Sequence, residues 1–211
     1  MPRNASFQRG KPTRAIGGKI IIAVEGKKTE YGYFEAIRKD LRLPSLQVIV
    51  VKPPGTDPLG IVRAAISERD ARRSDRIWLP GDSAWAVFDG DEHIANDRVR
   101  WHEALDLATK HKIGLAISNP SFELWYLLHF QNQTANITRQ SVLRAINSHI
   151  PNYDKASVLY PTPLKEVTPS AIDRAKSLER RSEEVSTSSH TNPCSGVWNL
   201  VTALLVLGPE R

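Results

Sequence analysis

Five apolar residues in a row, Ile20-Ile21-Ile22-Ala23-Val24, lie between Lys19 and Glu25. A strand with one wet face alternates apolar and polar residues, whereas an unbroken and mostly β-branched run marks a strand buried on both faces. Such a strand sits in the middle of a parallel sheet. Gly26 follows and lets the backbone turn sharply without a Cβ. From Glu30 to Leu41, Tyr33, Phe34, Ile37 and Leu41 recur at helical spacing, and Pro44 closes the unit. The opening unit therefore reads strand, tight loop, helix.

The same rhythm repeats. Val48 to Val51 is a second apolar run, followed by the loop KPPGTDP and a helical pattern from Leu59 to Arg73. Residues 84 to 88, AWAVF, form a third strand that runs into Asp89, and Val99, Trp101, Leu105 and Ala108 stripe the next helix. Gly114 to Ile117 is the fourth strand, ending at SNPSFE. Strands alternating with helices predict an α/β fold, an open and mainly parallel sheet flanked by helices with right-handed crossovers. Function in such sheets gathers at the carboxyl ends of the strands.

From Phe122 onward strand signals disappear. FELWYLLHF starts a strongly apolar helix, Ser141 to His149 reads as a short one and Thr168 to Val185 as a longer one. The last helix sets Val197, Leu200, Val201, Leu204 and Leu205 on one face and must pack on something apolar. Tyr160 to Pro163 and residues 186 to 190 read as connecting loops. With 211 residues, 40% of them hydrophobic, the chain can bury one core and an added helical part. The expected organisation is a basic flexible arm at 1–18, an α/β core at 19–130 and a helical extension at 131–211 packed on that core.

The formal charge is +6, and residues 1 to 19 carry Arg3, Arg9, Lys11, Arg14 and Lys19 with no acid. An arm of this kind binds phosphate backbones through counterion release, or serves as a solvated tail. The single cysteine, Cys194, rules out an internal disulfide and has no partners for a zinc ribbon. No apolar stretch approaches the roughly 20 residues of a membrane helix and no secretion signal is evident, so a cytoplasmic protein that uses no membrane is expected.

Chemistry points to the strand ends. Glu25 ends the first strand, where a carboxylate faces the crevice, although a lone strand-end glutamate more often caps or pairs locally. At the end of the third strand, Asp89, Asp91 and Glu92 put three carboxylates within four residues, a repulsion usually relieved by a cation. With a strand-like backbone Asp89 and Asp91 point to one side, and hard oxygens there suit Mg²⁺ or Mn²⁺. An isolated Asp-Gly-Asp is more often a turn, but adjacent strands would bring Glu25 to the same place. Glu123 stands at a third strand end as a carboxylate for metal or water; capping by Asn119 or Ser121 and the helix dipole explain that segment equally well. His93 reads first as a polar loop residue, with metal ligand and general acid as the alternatives. Lys27, Lys28, Asn119 and Lys155 are the candidates for substrate contact, against a bland reading as solvated lysines and a helix cap. Gly26-Lys27-Lys28-Thr29 resembles the tail of a P-loop, yet Ile21 stands where its first glycine belongs and Lys28 where Ser or Thr is required. No serine lies in a nucleophile elbow, and the tryptophans fall mainly on apolar faces.

Glu25-Gly26 after one apolar strand and Asp89-Gly90-Asp91 after another resemble the two signatures of the Toprim domain of primases, topoisomerases and OLD-type nucleases. The longer strings IIIAVEGKKTEYGYF, VFDGDEH and AISNPSFELWYLLHF resemble the RloB-like family, a Toprim group tied to bacterial restriction and phage-defence loci. The resemblance spans roughly Lys19 to Phe130. It implies a Toprim fold in which Glu25 is a general acid or base and Asp89 and Asp91 hold Mg²⁺, a partner ATPase, and nuclease activity on DNA or RNA. It also implies a basic residue at the position of Gly90. The expected site is thus Glu25, Asp89, Asp91 and Glu123 for catalysis, the first three also for metal. Two rival readings are a non-catalytic metal- and nucleic-acid-binding subunit of a defence ATPase, and a phosphotransferase or lyase acting on a small nucleotide. Assembly into a homo-oligomer is left open.

Overall fold

The computed structural model describes residues 18–184 and 190–208, with Glu92 described for its backbone alone. Nearly all of the basic arm and most of the 186–190 loop lie outside the described residues.

The central run forms β1 (Ile20–Val24), every residue of it buried. Ile20, Ile22 and Val24 enter one apolar core and Ile21 and Ala23 the other, because successive side chains of a strand leave on opposite faces. Two apolar layers thus account for the unbroken run. β2 (Val48–Val51) and β3 (Ser83–Asp89) pair with β1 in parallel, and β4 (Gly114–Asn119) pairs in parallel with β3. The sheet order is β2-β1-β3-β4-β5. The fifth strand, β5 (Cys194–Ser195), is antiparallel to β4. It escapes the sequence reading because two residues carry no periodicity, and it corrects the expectation that strands end before Phe122.

On one face α1 (Thr29–Asp40) shares its core with α5 (Glu123–Leu128), α6 (Arg139–His149), α7 (Thr168–Glu184) and α8 (Val197–Leu207). The helices after Phe122 therefore do not pack apart from the sheet. Tyr33 from α1 accepts a 2.8 Å hydrogen bond from Trp125 Nε1 of α5, and edge-on contacts join Tyr33 to Phe34, Phe122 and Tyr126. The other face carries α2 (Pro58–Ser74) and α4 (Arg98–His111). The apolar stripe of α8 buries Val197, Leu200, Val201 and Leu204, whereas Leu205, expected on that face, is 38% exposed. Among the described residues no helix is long and apolar enough to cross a membrane.

From β1 the chain goes to β2 on one side and then returns to β3 on the other. That reversal separates the loops at the carboxyl ends of β1 and β3 and opens a crevice between them.

Candidate functional site

Glu25 leaves β1 at this crevice. Its N–H donates to Val87 O at 3.0 Å, continuing the ladder by one residue, and its Oε2 accepts from the Asp89 N–H at 2.9 Å. His93 Nε2 lies 3.4 Å from the other oxygen. The carboxylate so spans the gap between the two strands, and His93 is more than a loop residue: it stands in α3 (Asp91–Asn96) and faces Glu25.

Asp89 ends β3 and is 7% exposed. One carboxylate oxygen accepts the Phe122 N–H at 2.8 Å and the other lies 3.2 Å from Arg139 Nη2. Burial raises its pKa well above the usual carboxylate range, Glu30, Glu25 and Glu123 add to that, and Arg139 opposes it. Asp91 is not on an extended backbone as expected: Gly90 turns at φ −100° and ψ −37°, and Asp91 opens α3. It therefore reaches out of the crevice to Arg139, with Nε at 2.9 Å from both carboxylate oxygens and Nη2 at 2.6 Å from Oδ1, a fork-shaped pairing. A Cβ at position 90 would stand 3.2 Å from Cβ of Asn119. The tight approach gives a reason for glycine where the resemblance implied a basic residue.

Glu123, in the first turn of α5, is 3% exposed. Its Oε2 accepts from the Ser121 hydroxyl at 2.7 Å and its Oε1 lies 3.5 Å from Lys155 Nζ. Neither Asn119 nor Ser121 caps α5; Phe122 is its N-cap residue and makes no side-chain cap. Asn119 is buried at the end of β4 and donates through Nδ2 to His190 O at 2.9 Å. Lys27 and Lys28 are exposed on the turn after Gly26, and Lys155 reaches Glu123 from a turn beyond α6, where its carbonyl also accepts from Thr29 Oγ1 at the start of α1.

Two members were not foreseen. Glu30, 6% exposed in the first turn of α1, lies so close to Gly26 that a Cβ there would collide with its carboxyl. Burial raises its pKa to about 7, with Glu123 and Glu25 contributing and its own backbone amide and Lys155 opposing. Its place five residues after Glu25 is visible in the sequence, but a glutamate in a first turn is already explained by the helix dipole. Arg139 comes from α6, 48 residues beyond Asp91, and no local pattern announces it.

The crevice thus gathers Glu25, Glu30, Asp89 and Glu123, with Asp91 at its mouth and Arg139, Lys155 and His93 as counter-charges. These are hard oxygen donors under mutual repulsion, and in ligand type and charge they fit a divalent cation. In the side-chain arrangement described, Arg139 stands beside Asp89 and Asp91 where such a cation would act, and among the described residues no three His, Cys, Asp or Glu side chains enclose a common point. No curated protein and no solved structure matches the chain. A family model described as RloB-like protein matches residues 20–204, which takes in the whole sheet and the helices that supply Arg139 and Lys155's flank of the crevice. Since that match covers most of the 211 residues, the chain belongs to the RloB-like protein family.

Proposed function

We propose that this chain is a Toprim-type nuclease that hydrolyses phosphodiester bonds in DNA or RNA with Mg²⁺ or Mn²⁺, working with a partner ATPase in bacterial defence against phage. The observation that carries the reading is the meeting of Glu25 and Asp89 across the β1/β3 switch point, with Glu30 and Glu123 behind them and lysines on the rim. Asp89 and Asp91 would hold the cation, with Glu25 as a third ligand or as the group that moves a proton at the attacking water. When bound, the cation polarises a phosphoryl oxygen and offsets charge that develops on it. Asp89 is oriented by the Phe122 amide and Glu25 by the Asp89 amide, so a backbone N–H fixes one oxygen of each carboxylate. Glu30 keeps a proton near neutral pH and is suited to exchange one inside the crevice. Lys27, Lys28 and Lys155 supply positive charge for the phosphate backbone. In the purified protein, Glu25→Gln and Asp89→Asn are expected to abolish Mg²⁺-dependent cleavage of a tRNA, single-strand and duplex panel. Unchanged cutting by either variant would sink the assignment.

A second reading is favoured by Arg139. Its guanidinium neutralises Asp89 and Asp91, which suits a subunit that binds nucleic acid without cutting until a partner displaces that contact. Binding without cleavage in Mn²⁺, both alone and with the ATPase, would favour the non-catalytic role.

A further inference from the structure

A cavity of about 630 Å³ opens beside Gly90. Ile94 and Asn119, which lie against Gly90, form one wall, and α4, α7, the segment leading to β5 and Thr134 and Asn136 before α6 form the rest. Its character is opposite to that of the crevice: Arg98, Arg181, His102 and His190 line it, and among the described residues no acid does. Neither arginine pairs with a carboxylate among the described residues, and both are exposed. Burial holds His190 below its usual range, and the fixed positive charge on this wall is that of the two guanidinium groups.

Asn119 supplies an independent observation. It is 6% exposed and lines the cavity, its Nδ2 is committed to His190 O, and its Oδ1 is buried with no hydrogen-bond partner. A buried acceptor left in this state is costly and calls for a donor. The apolar part of the lining, including Ile94 and Leu105 beside the Trp101 indole, suits a flat heterocycle, and the volume lies within the range of roughly 300–1,000 Å³ that holds small ligands. A duplex does not fit such a space; one nucleoside does.

We propose that this cavity is a nucleotide subsite, in which a turn of the Asn119 side chain brings its Oδ1 to the exocyclic amino group of a base while Arg98 and Arg181 take the phosphate. The nucleotide is either one unit of a substrate strand entering the neighbouring crevice or a free mononucleotide. The strand source rests on the nuclease reading above; the free one does not.

Calorimetric titration of the full chain separates the outcomes. AMP or CMP is expected to saturate one site, and purine riboside 5′-monophosphate, which lacks only the amino group of AMP, to bind at least about tenfold more weakly. Arg98→Gln with Arg181→Gln is expected to weaken AMP by about tenfold while adenosine changes little, since only the phosphate contact is lost. Displacement of AMP by a single-stranded oligonucleotide identifies the strand as the source, and saturation that an oligonucleotide leaves untouched identifies the free nucleotide. Absence of saturable AMP and CMP binding, or equal affinity for the purine analogue, overturns the subsite. Cleavage without nucleotide binding would leave the nuclease reading standing and remove this one, whereas binding without cleavage in Mn²⁺ does the reverse.

Discussion

At the scale of single residues, Glu30 and His129 are buried with protonation preferences that oppose each other. Glu30 has its pKa raised from 4.5 to about 7, so between those values the folded chain binds more protons than the unfolded one and stability falls as pH rises. The full loss, reached above pH 7, is on the order of 3 kcal/mol. Asp89 shifts in the same direction. His129 is lowered from 6.5 to about 4 by burial, its Nδ1–H donating to Trp125 O, so its contribution is complete above pH 6.5 and is lost as pH falls toward 4. The two slopes offset each other over most of the acid range. Glu30→Gln is therefore expected to expose a melting temperature that climbs from pH 4 to 6.5, and His129→Gln one that declines from pH 4.5 to 7. Identical slopes for Glu30→Gln and the wild type would refute the assignment. Glu25 and Asp89 are legible in the sequence because each stands at the end of a buried apolar run, and two such strand ends in one parallel sheet point to a common crevice. Glu30 is hidden by a sufficient local explanation, and the orphaned oxygen of Asn119 depends on a carbonyl 71 residues away.

Among the elements, α6 matters beyond its apolar stripe. Thr138 caps it by accepting the Ser141 N–H, which fixes where the helix begins and so where Arg139, its first residue, can reach. Arg139→Gln leaves Asp89 buried without its counter-charge. Because the guanidinium is 29% exposed, the cost is discounted from a fully buried pair to about 1–3 kcal/mol. Thermal melts are expected to show a destabilised variant that Mn²⁺ rescues by more than it stabilises the wild type, as a competing cation has been removed. An equal Mn²⁺ shift in both proteins would show that Arg139 does not guard the metal position. The strands β1 to β4 were readable as unbroken apolar runs bounded by turn residues, and the long helices because a period of 3.6 residues persists over several turns. Neither α3 nor β5 persists so long, and the pairing of α6 with the crevice is tertiary, set by packing that no window of sequence contains.

For the whole molecule, the arrangement is two neighbouring sites of opposite charge near Gly90, an acidic crevice and a cavity with no acid among its described lining residues, on a chain of net charge +6. The wall between them is the end of β4, and β5 closes the edge beyond it with Cys194 opposite Asn119. Burial pushes the Cys194 thiol up to about 12, so almost no thiolate is present at neutral pH and alkylation of this half-buried thiol is slow until the edge parts. As the chain holds no other cysteine, the rate at which iodoacetamide consumes it is a clock for breathing of the β4/β5 seam. AMP seated against Asn119 and Pro193 is expected to slow that clock, and an unchanged rate at saturating AMP would place the nucleotide elsewhere. The two-residue strand that no periodicity revealed thereby gives the molecule its own chemical timer, set beside the wall that the two sites share.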